Sequence, residues 1–290
     1  MRMLRTMSLA LVVAALGCGP RPTSTPMAPS PSPTPVPPPS APAHLALNGY
    51  VYDTAFRPVG GATVKLLDDA QAGASTESNE AGRFSFTGTF ADPTTVQVSK
   101  DGYAVTTGTG KSINSPTGAI WVFVVLDELT RPVDITGDYS LTIVVDSACE
   151  GIPSEVRSRT YAASIRPTPD SHTQSGTSLT LTVGSGSFLP DRNSFAVGVA
   201  GGDVAFSIYN GEDFGLIEKI APGTYLAIGG VAAVSIGTGP VTTISTPFSG
   251  EVDYCAYQSD TGWTYQCNSG PRTAYEHCEA THHQLTLSRR

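Results

Sequence analysis

Charge is scarce in this chain of 290 residues: Asp, Glu, Lys and Arg make up 14% of it, against roughly a quarter of an ordinary soluble protein. What charge there is sums to −8, with a pI near 5.0, which argues against a nucleic-acid partner because phosphates would be repelled. Long apolar runs are lacking as well. The stretch near the amino terminus, Leu9 to Leu16, falls far short of the ~20 residues that a membrane-crossing helix needs. No segment sustains a 3.6-residue apolar period, which leaves an almost all-β chain. Cysteine is sparse, and no C-x₂-C pair occurs to hold structural zinc. Nor is there a Gly-x-Ser-x-Gly elbow: Gly184-Ser185-Gly186-Ser187 lacks the final glycine. No cofactor, no metal and no catalytic residue is expected.

The amino terminus carries Arg2 and Arg5, then the short apolar run, then small residues before Cys18, the pattern of an export signal. Ala15-Leu16-Gly17-Cys18 resembles the lipobox of bacterial lipoproteins, with Ala15 where those signals usually carry Leu. The resemblance implies a signal peptide over 1–17, cleavage before Cys18, a diacylglycerol on its sulfur and an acyl group on its new amino terminus. Several chains hold where one is marginal, since each buried CH₂ contributes ~0.8 kcal/mol. Gly19, rather than Asp, after the cysteine implies release to the outer membrane, so the expected location is the cell envelope and the expected partner the membrane itself through Cys18, with a further envelope-protein, glycan or small-ligand partner left open. Residues 18–44 are mostly Pro, Ser, Thr and Ala, too poor in apolar surface to offset the entropy of ordering. They read as a stiff disordered tether, reaching up to ~80 Å at ~3.1 Å per residue.

From Ala46 onward, short Val/Thr/aromatic runs alternate with Gly, Pro, Asn and Asp clusters, which predicts strands and turns. Gly49 to Asp53 begins a strand, Pro58, Gly60 and Gly61 turn into Ala62 to Leu66, and Glu80-Ala81-Gly82-Arg83-Phe84 is a hairpin turn in which Gly82 takes positive φ. Asp101-Gly102-Tyr103 closes the pattern, and Ala119 to Leu126, continuously apolar, reads as a strand of a sandwich core. These spaced features resemble the carboxypeptidase regulatory-like domain, a transthyretin-like β-sandwich, assigned to residues 45–128. The resemblance implies a structural or interaction role. The peptidase that carries this module elsewhere is not expected, since neither His-x-x-Glu nor His-Glu-x-x-His occurs.

A link over 129–136 leads into residues 137–290. Eight candidate strands, near 138–146, 157–166, 177–184, 194–199, 203–208, 223–229, 243–255 and 281–288, predict an up-and-down antiparallel β-barrel, similar to lipocalin-like barrels in architecture alone; a two-sheet sandwich is the alternative. The fold class is thus all-β, a sandwich followed by a barrel. In a closed barrel the first and last strands are neighbours, which predicts Cys149 paired with Cys278 and leaves Cys255 for Cys267, one of three possible connectivities. His277, Cys278, His282 and His283 gather near these cysteines, but disulfides outside the cytoplasm would remove the thiolates a metal needs, and His282 and His283 point to opposite faces. Gly108-Thr109-Gly110-Lys111-Ser112 ends like a phosphate loop, yet Val105 stands where that motif needs glycine and no helix follows, so it reads as a Gly/Thr loop. Asp68-Asp69 reads as a solvated turn.

Arg157 and Arg159 alternate with Tyr161, Ala163 and Ile165 and so face the barrel interior. They are either a clamp for an anionic ligand or a plug paired with Glu150 or Glu155, and the narrow interior of an eight-stranded barrel favours the plug. The expected function is a lipid-anchored envelope protein that binds or displays through its two β domains without catalysis. The alternatives are a carrier of a small apolar or anionic ligand and, less favoured, a hydrolase whose site forms only in three dimensions.

Overall fold

Alternation sets the first strand: Leu47, Gly49 and Val51 are buried, while Asn48, Tyr50 and Tyr52 at the alternate positions are partly exposed. The computed structural model describes residues 44–68, 70–112, 118–168, 178–211, 213–257 and 272–290. Cys18, the signal and tether up to residue 43, Asp69, residues 113–117 and Cys267 therefore lie outside the described residues. The first sheet contains β1 (His44–Asp53), β2 (Thr63–Leu66), β3 (Ser75–Glu77), β4 (Arg83–Phe90), β5 (Thr94–Ser99), β6 (Thr106–Ser112) and β7 (Ala119–Leu126), in the order β3-β2-β5-β6-β7-β1-β4. β1 runs parallel to β7 and antiparallel to β4. Among the described residues, β6 and β7 are paired at Lys111↔Trp121 and Ser112↔Ile120, and the sheet encloses Leu47, Leu66, Phe84, Phe90, Val96 and Val122. At the β3–β4 turn, Asn79 Oδ1 accepts the N–H groups of Ala81 and Arg83, and Gly82 takes a φ of 71°.

Two expectations change here. Thr106–Ser112 is no loop but a full strand, paired along β5 and, at its end, β7. Ala119–Leu126 is apolar on both sides, yet only Ile120, Val122, Val124 and Leu126 enter the core. Trp121 and Phe123 turn outward, so this strand of the sandwich core buries one face rather than two.

The second sheet contains β8 (Gly137–Val144), β9 (Ser158–Pro167), β10 (Leu179–Val183), β11 (Phe188–Ala200), β12 (Asp203–Ser207), β15 (Leu216–Ala221), β16 (Thr224–Ser235), β17 (Thr243–Tyr257) and β18 (Arg272–Arg289). Between β12 and β15, β13 (Tyr209–Asn210) and β14 (Asp213–Phe214) form a small hairpin of their own. β10 pairs with β11 and β18 with β8, so this sheet closes on itself. Its nine strands make eight staves. β12 and β15 run in one direction between the same two neighbours: Ser207 faces Ala196 and Val231, and Leu216 faces Asn193 and Ile228. Both neighbours advance three residues while this stave spends nine, and the extra length holds the β13–β14 hairpin, while Ile208 stays in the core cluster. The result is an antiparallel up-and-down barrel of eight staves. The sequence reading found its first half at 203–208 and missed its continuation at 216–221.

The barrel interior is filled. Tyr139, Leu141, Ile143, Phe195, Phe206 and Phe248 are buried within one contiguous apolar cluster. The connection between the domains takes part, because Val133 and Ile135 belong to that cluster and Tyr139 Oη donates to the Ile135 carbonyl at 2.8 Å.

The domains also meet through the turn after β1. Arg57 donates to Asp53 and Glu128, at 2.6 and 2.7 Å, and also to Asp203 of the barrel. Thr54 Oγ1 donates to the Val199 carbonyl at 2.6 Å, and Ala55 packs on Ala200 and Ala205.

Candidate functional site

Both arginines singled out at the barrel mouth are occupied by the protein's own groups. Arg157 follows a short 3₁₀ turn, Ser154–Val156, and its guanidinium donates to the carbonyls of Ile152 and Glu150 at 2.6 and 2.7 Å. Glu150 thus contributes a backbone oxygen, not the carboxylate expected of a plug. Arg159 projects inward from β9 and meets Glu218 of β15 in a two-pronged ion pair, with Nε donating to Oε2 at 2.9 Å and Nη2 to Oε1. Tyr161 Oη donates to the same Oε2 at 2.8 Å. The partner is therefore Glu218, not Glu150 or Glu155. Its side chain is only 5% exposed, and a carboxylate so placed is tolerable because three donors surround it. Burial, reinforced by the Glu218 charge, pushes the Tyr161 hydroxyl well above its ordinary pKa, so it stays a donor.

Cys149 and Cys278 are joined in a disulfide at the seam where β8 and β18 meet. Cys255 is buried and disulfide-bonded, while its expected partner, Cys267, lies outside the described residues. The nearby histidines separate. His283 is buried, with Nδ1 accepting the Asp146 N–H at 3.0 Å and Nε2 directed at the Gly250 carbonyl at 3.3 Å. His282 on the opposite face is 77% exposed, and His277 Nδ1 lies 2.6 Å from Asp253 Oδ1. Among the described residues, no group of three or more His, Cys, Asp or Glu side chains is arranged to hold a metal ion.

The exposed feature with chemistry to offer lies on the first sheet. Tyr50 and Tyr52 of β1 stand beside Trp121 and Phe123 of β7 on the outer face, in the register Asn48↔Trp121 and Tyr50↔Phe123. The Tyr50 ring lies 5.9 Å from Tyr52, 6.0 Å from Trp121 and 5.6 Å from Phe123, with planes agreeing to 15°, 14° and 9°. The Arg83 guanidinium sits 5.4 Å from the Tyr50 ring centre. Beside the rings a cleft of about 400 Å³ opens between the free edges, β3 and β4, lined by Asn48, Thr76, Glu77, Asn79, Arg83 and Ser85 along with Tyr50 and Trp121. Sequence reasoning missed this surface. Its signal was the aromatics alternating with valines in Tyr50-Val51-Tyr52 and Trp121-Val122-Phe123.

Residues 46–120 match the family described as the carboxypeptidase regulatory-like domain. No curated protein matches the chain. A solved structure from Bacteroides fragilis, of unknown function and described as membrane-associated, shows 10% identity over 86% of this chain and 99% of its own, with a TM-score of 0.23, too low to bear on fold or function.

Proposed function

We propose that this protein is a lipid-anchored component of the bacterial cell envelope, held through Cys18 at the outer membrane, that binds or displays through the outer surfaces of its two β domains and performs no catalysis. The observation that carries the reading is the barrel interior: it is packed with buried side chains, and its inward arginines are spent on Glu218 and on backbone carbonyls. Among the described residues, apolar packing thus stands where a carrier would need an open lumen, and neither of these two arginines is left for an anionic ligand. The polarity of the wall supports a tethered barrel over a spanning one. Membrane barrels are apolar outside, whereas here the outward positions include Thr142 bonded to Thr160 and Ser245 bonded to Thr286, each at 3.0 Å. The Cys149–Cys278 disulfide fits an oxidising compartment.

The test is fractionation of cells expressing the wild type and Cys18→Ser. The wild type is expected in the membrane fraction with its signal removed, and Cys18→Ser soluble or unprocessed. A Cys18→Ser protein that is processed and still membrane-bound overturns the anchor.

A further inference from the structure

We propose that the groove where the turn after β1 meets the outer wall of β10 and β11 is a binding site for a small, uncharged, apolar molecule. This gives the outer surfaces of the non-catalytic envelope binder a ligand class and rests on that reading.

Two unfavourable backbone conformations build the groove. Among the described residues, Phe56 and Asp191 are the non-glycine residues at positive φ, at 61° and 59°. Each sets one wall. Phe56 stands at the sandwich end, where the strained turn leaves its ring 45% exposed instead of burying it. At the other end, the Asp191 carbonyl accepts from Asn210 Nδ2 at 3.0 Å, and Arg192 beside it donates to the Asp213 carboxylate at 2.9 Å and to the Phe214 carbonyl at 3.2 Å. These bonds clasp the β13–β14 hairpin to the barrel wall. Between Phe56 and the hairpin residues Tyr209, Asn210 and Gly211 lies a groove of about 470 Å³, with Thr180, Ser194 and Ala196 along its floor. Phe56 also lines a second hollow of about 280 Å³, shared with Tyr52, Thr54 and Val125 of the sandwich. Strain persists where function holds it in place, and here two separate strained residues shape one groove.

The walls select the guest. Their polar side chains are already bonded within the protein: Thr54 Oγ1 donates to the Val199 carbonyl, the Thr168 and Thr180 hydroxyls meet at 2.8 Å, and Asn210 holds Asp191. Among the described residues, the lining includes no Lys, Arg or Glu, and its one carboxylate, Asp53, accepts the N–H groups of Ala55 and Arg57. A charged or heavily hydroxylated guest would give up its bonds to water and find few in return. An added peptide strand has no edge to join, because β10 and β11 are each paired on both sides. What is left for contact is apolar, namely the Phe56 ring, Val125 and the Ala196 methyl, in a space of small-molecule size.

The experiment titrates the uncharged fluorescent probe N-phenylnaphthylamine into the full-length Cys18→Ser chain, which carries no lipid and is handled without detergent. Phe56→Gly, Ala196→Glu and, as a control elsewhere on the barrel wall, Val231→Ser are made in the same background. Glycine adopts a φ of 61° freely, so Phe56→Gly is expected to remove the ring without lowering the melting temperature. Ala196 is exposed, so Ala196→Glu puts a charge into the groove and leaves the core intact. Expected is saturable binding of one probe per chain, weakened about tenfold or more by either groove variant, in line with the loss of one apolar contact, and unaffected by Val231→Ser. The sulfonated analogue of the probe, with the same rings and a negative charge, is expected to bind more weakly than the probe itself. No saturable binding, equal affinity for the sulfonate, or binding that both groove variants share with the parent chain overturns the proposal. So does a Phe56→Gly chain that melts lower and still binds the probe, because Phe56 would then be a packing residue. In those cases the envelope reading still stands, because it is decided separately by the Cys18→Ser fractionation.

Discussion

At the scale of single residues, stability hangs on buried polar groups that have one arrangement available. Removing Arg159 leaves the Glu218 carboxylate nearly buried with only the Tyr161 hydroxyl as donor. Arg159→Ala should therefore lower stability by about 2–3 kcal/mol, independently of any added ligand. Arg159→Ala/Glu218→Ala should cost less than the two single changes added together, a coupling that urea titration of all four proteins measures. That Arg159 points inward was legible from its alternation with Tyr161 and Ile165. That Glu218 is its partner was not, because the excursion over 208–215 breaks the two-residue period and hides β15 as the continuation of β12. His283 gives a pH dependence. Its Nδ1 accepts the Asp146 N–H, so the native ring is neutral with its proton on Nε2, and burial pulls its pKa below the ordinary 6.5. Between 6.5 and the lowered native value the unfolded chain binds the proton and the native one does not. This contribution is thus whole above pH 6.5 and is lost as pH falls toward the native pKa. Urea midpoints between pH 8 and 5 should fall for the wild type and slope less steeply for His283→Asn.

At the scale of elements, strand closure and strand facing were legible to different depths. The eight-stave order follows from turn signals and alternation, and closure brings the end of β8 beside β18, where Cys149 and Cys278 are bonded. The facing of β7 was hidden because its sequence, Ala119–Leu126, is apolar at every position. A strand buried on both faces and one that displays aromatics read alike, and only the layer opposite decides. The disulfide joins the first and last staves across a separation of 129 residues, so it limits the unfolded chain over nearly the whole barrel. Cys149→Ser/Cys278→Ser should lose about 2–4 kcal/mol by denaturant titration while keeping the far-ultraviolet signature of the barrel. An unchanged midpoint would show that the hydrogen-bonded seam between β8 and β18 closes the barrel unaided.

At the scale of the whole molecule, the question is whether sandwich and barrel act as one body. Nothing in the sequence marked Asp53 to Arg57 as the joint, since a short polar turn after a strand is ordinary. In the structure the Asp53 carboxylate accepts the N–H groups of Ala55 and Arg57 and holds Phe56 at a φ of 61°. A side chain at positive φ is unfavourable and persists where its surroundings fix it. The same turn carries Thr54 and Ala55 onto β11, where Gly198 allows the approach: a Cβ there would stand 2.4 Å from the Thr54 carbonyl and 3.0 Å from the Ala55 Cα. Residue 198 lies between the core residues Val197 and Val199 and faces the sandwich, so enlarging it strikes the joint without entering the barrel core. With Arg57 spanning Asp53, Glu128 and Asp203 across the same boundary, the wild type should unfold in one cooperative calorimetric transition, its calorimetric and van't Hoff enthalpies agreeing. Gly198→Val should drive the turn off β11, and together with Arg57→Ala it should split that transition into two, one per domain. A double variant that still melts in a single step with equal enthalpies would mean that Val133 and Ile135, which run from the connection into the barrel core, couple the domains without the Arg57 joint.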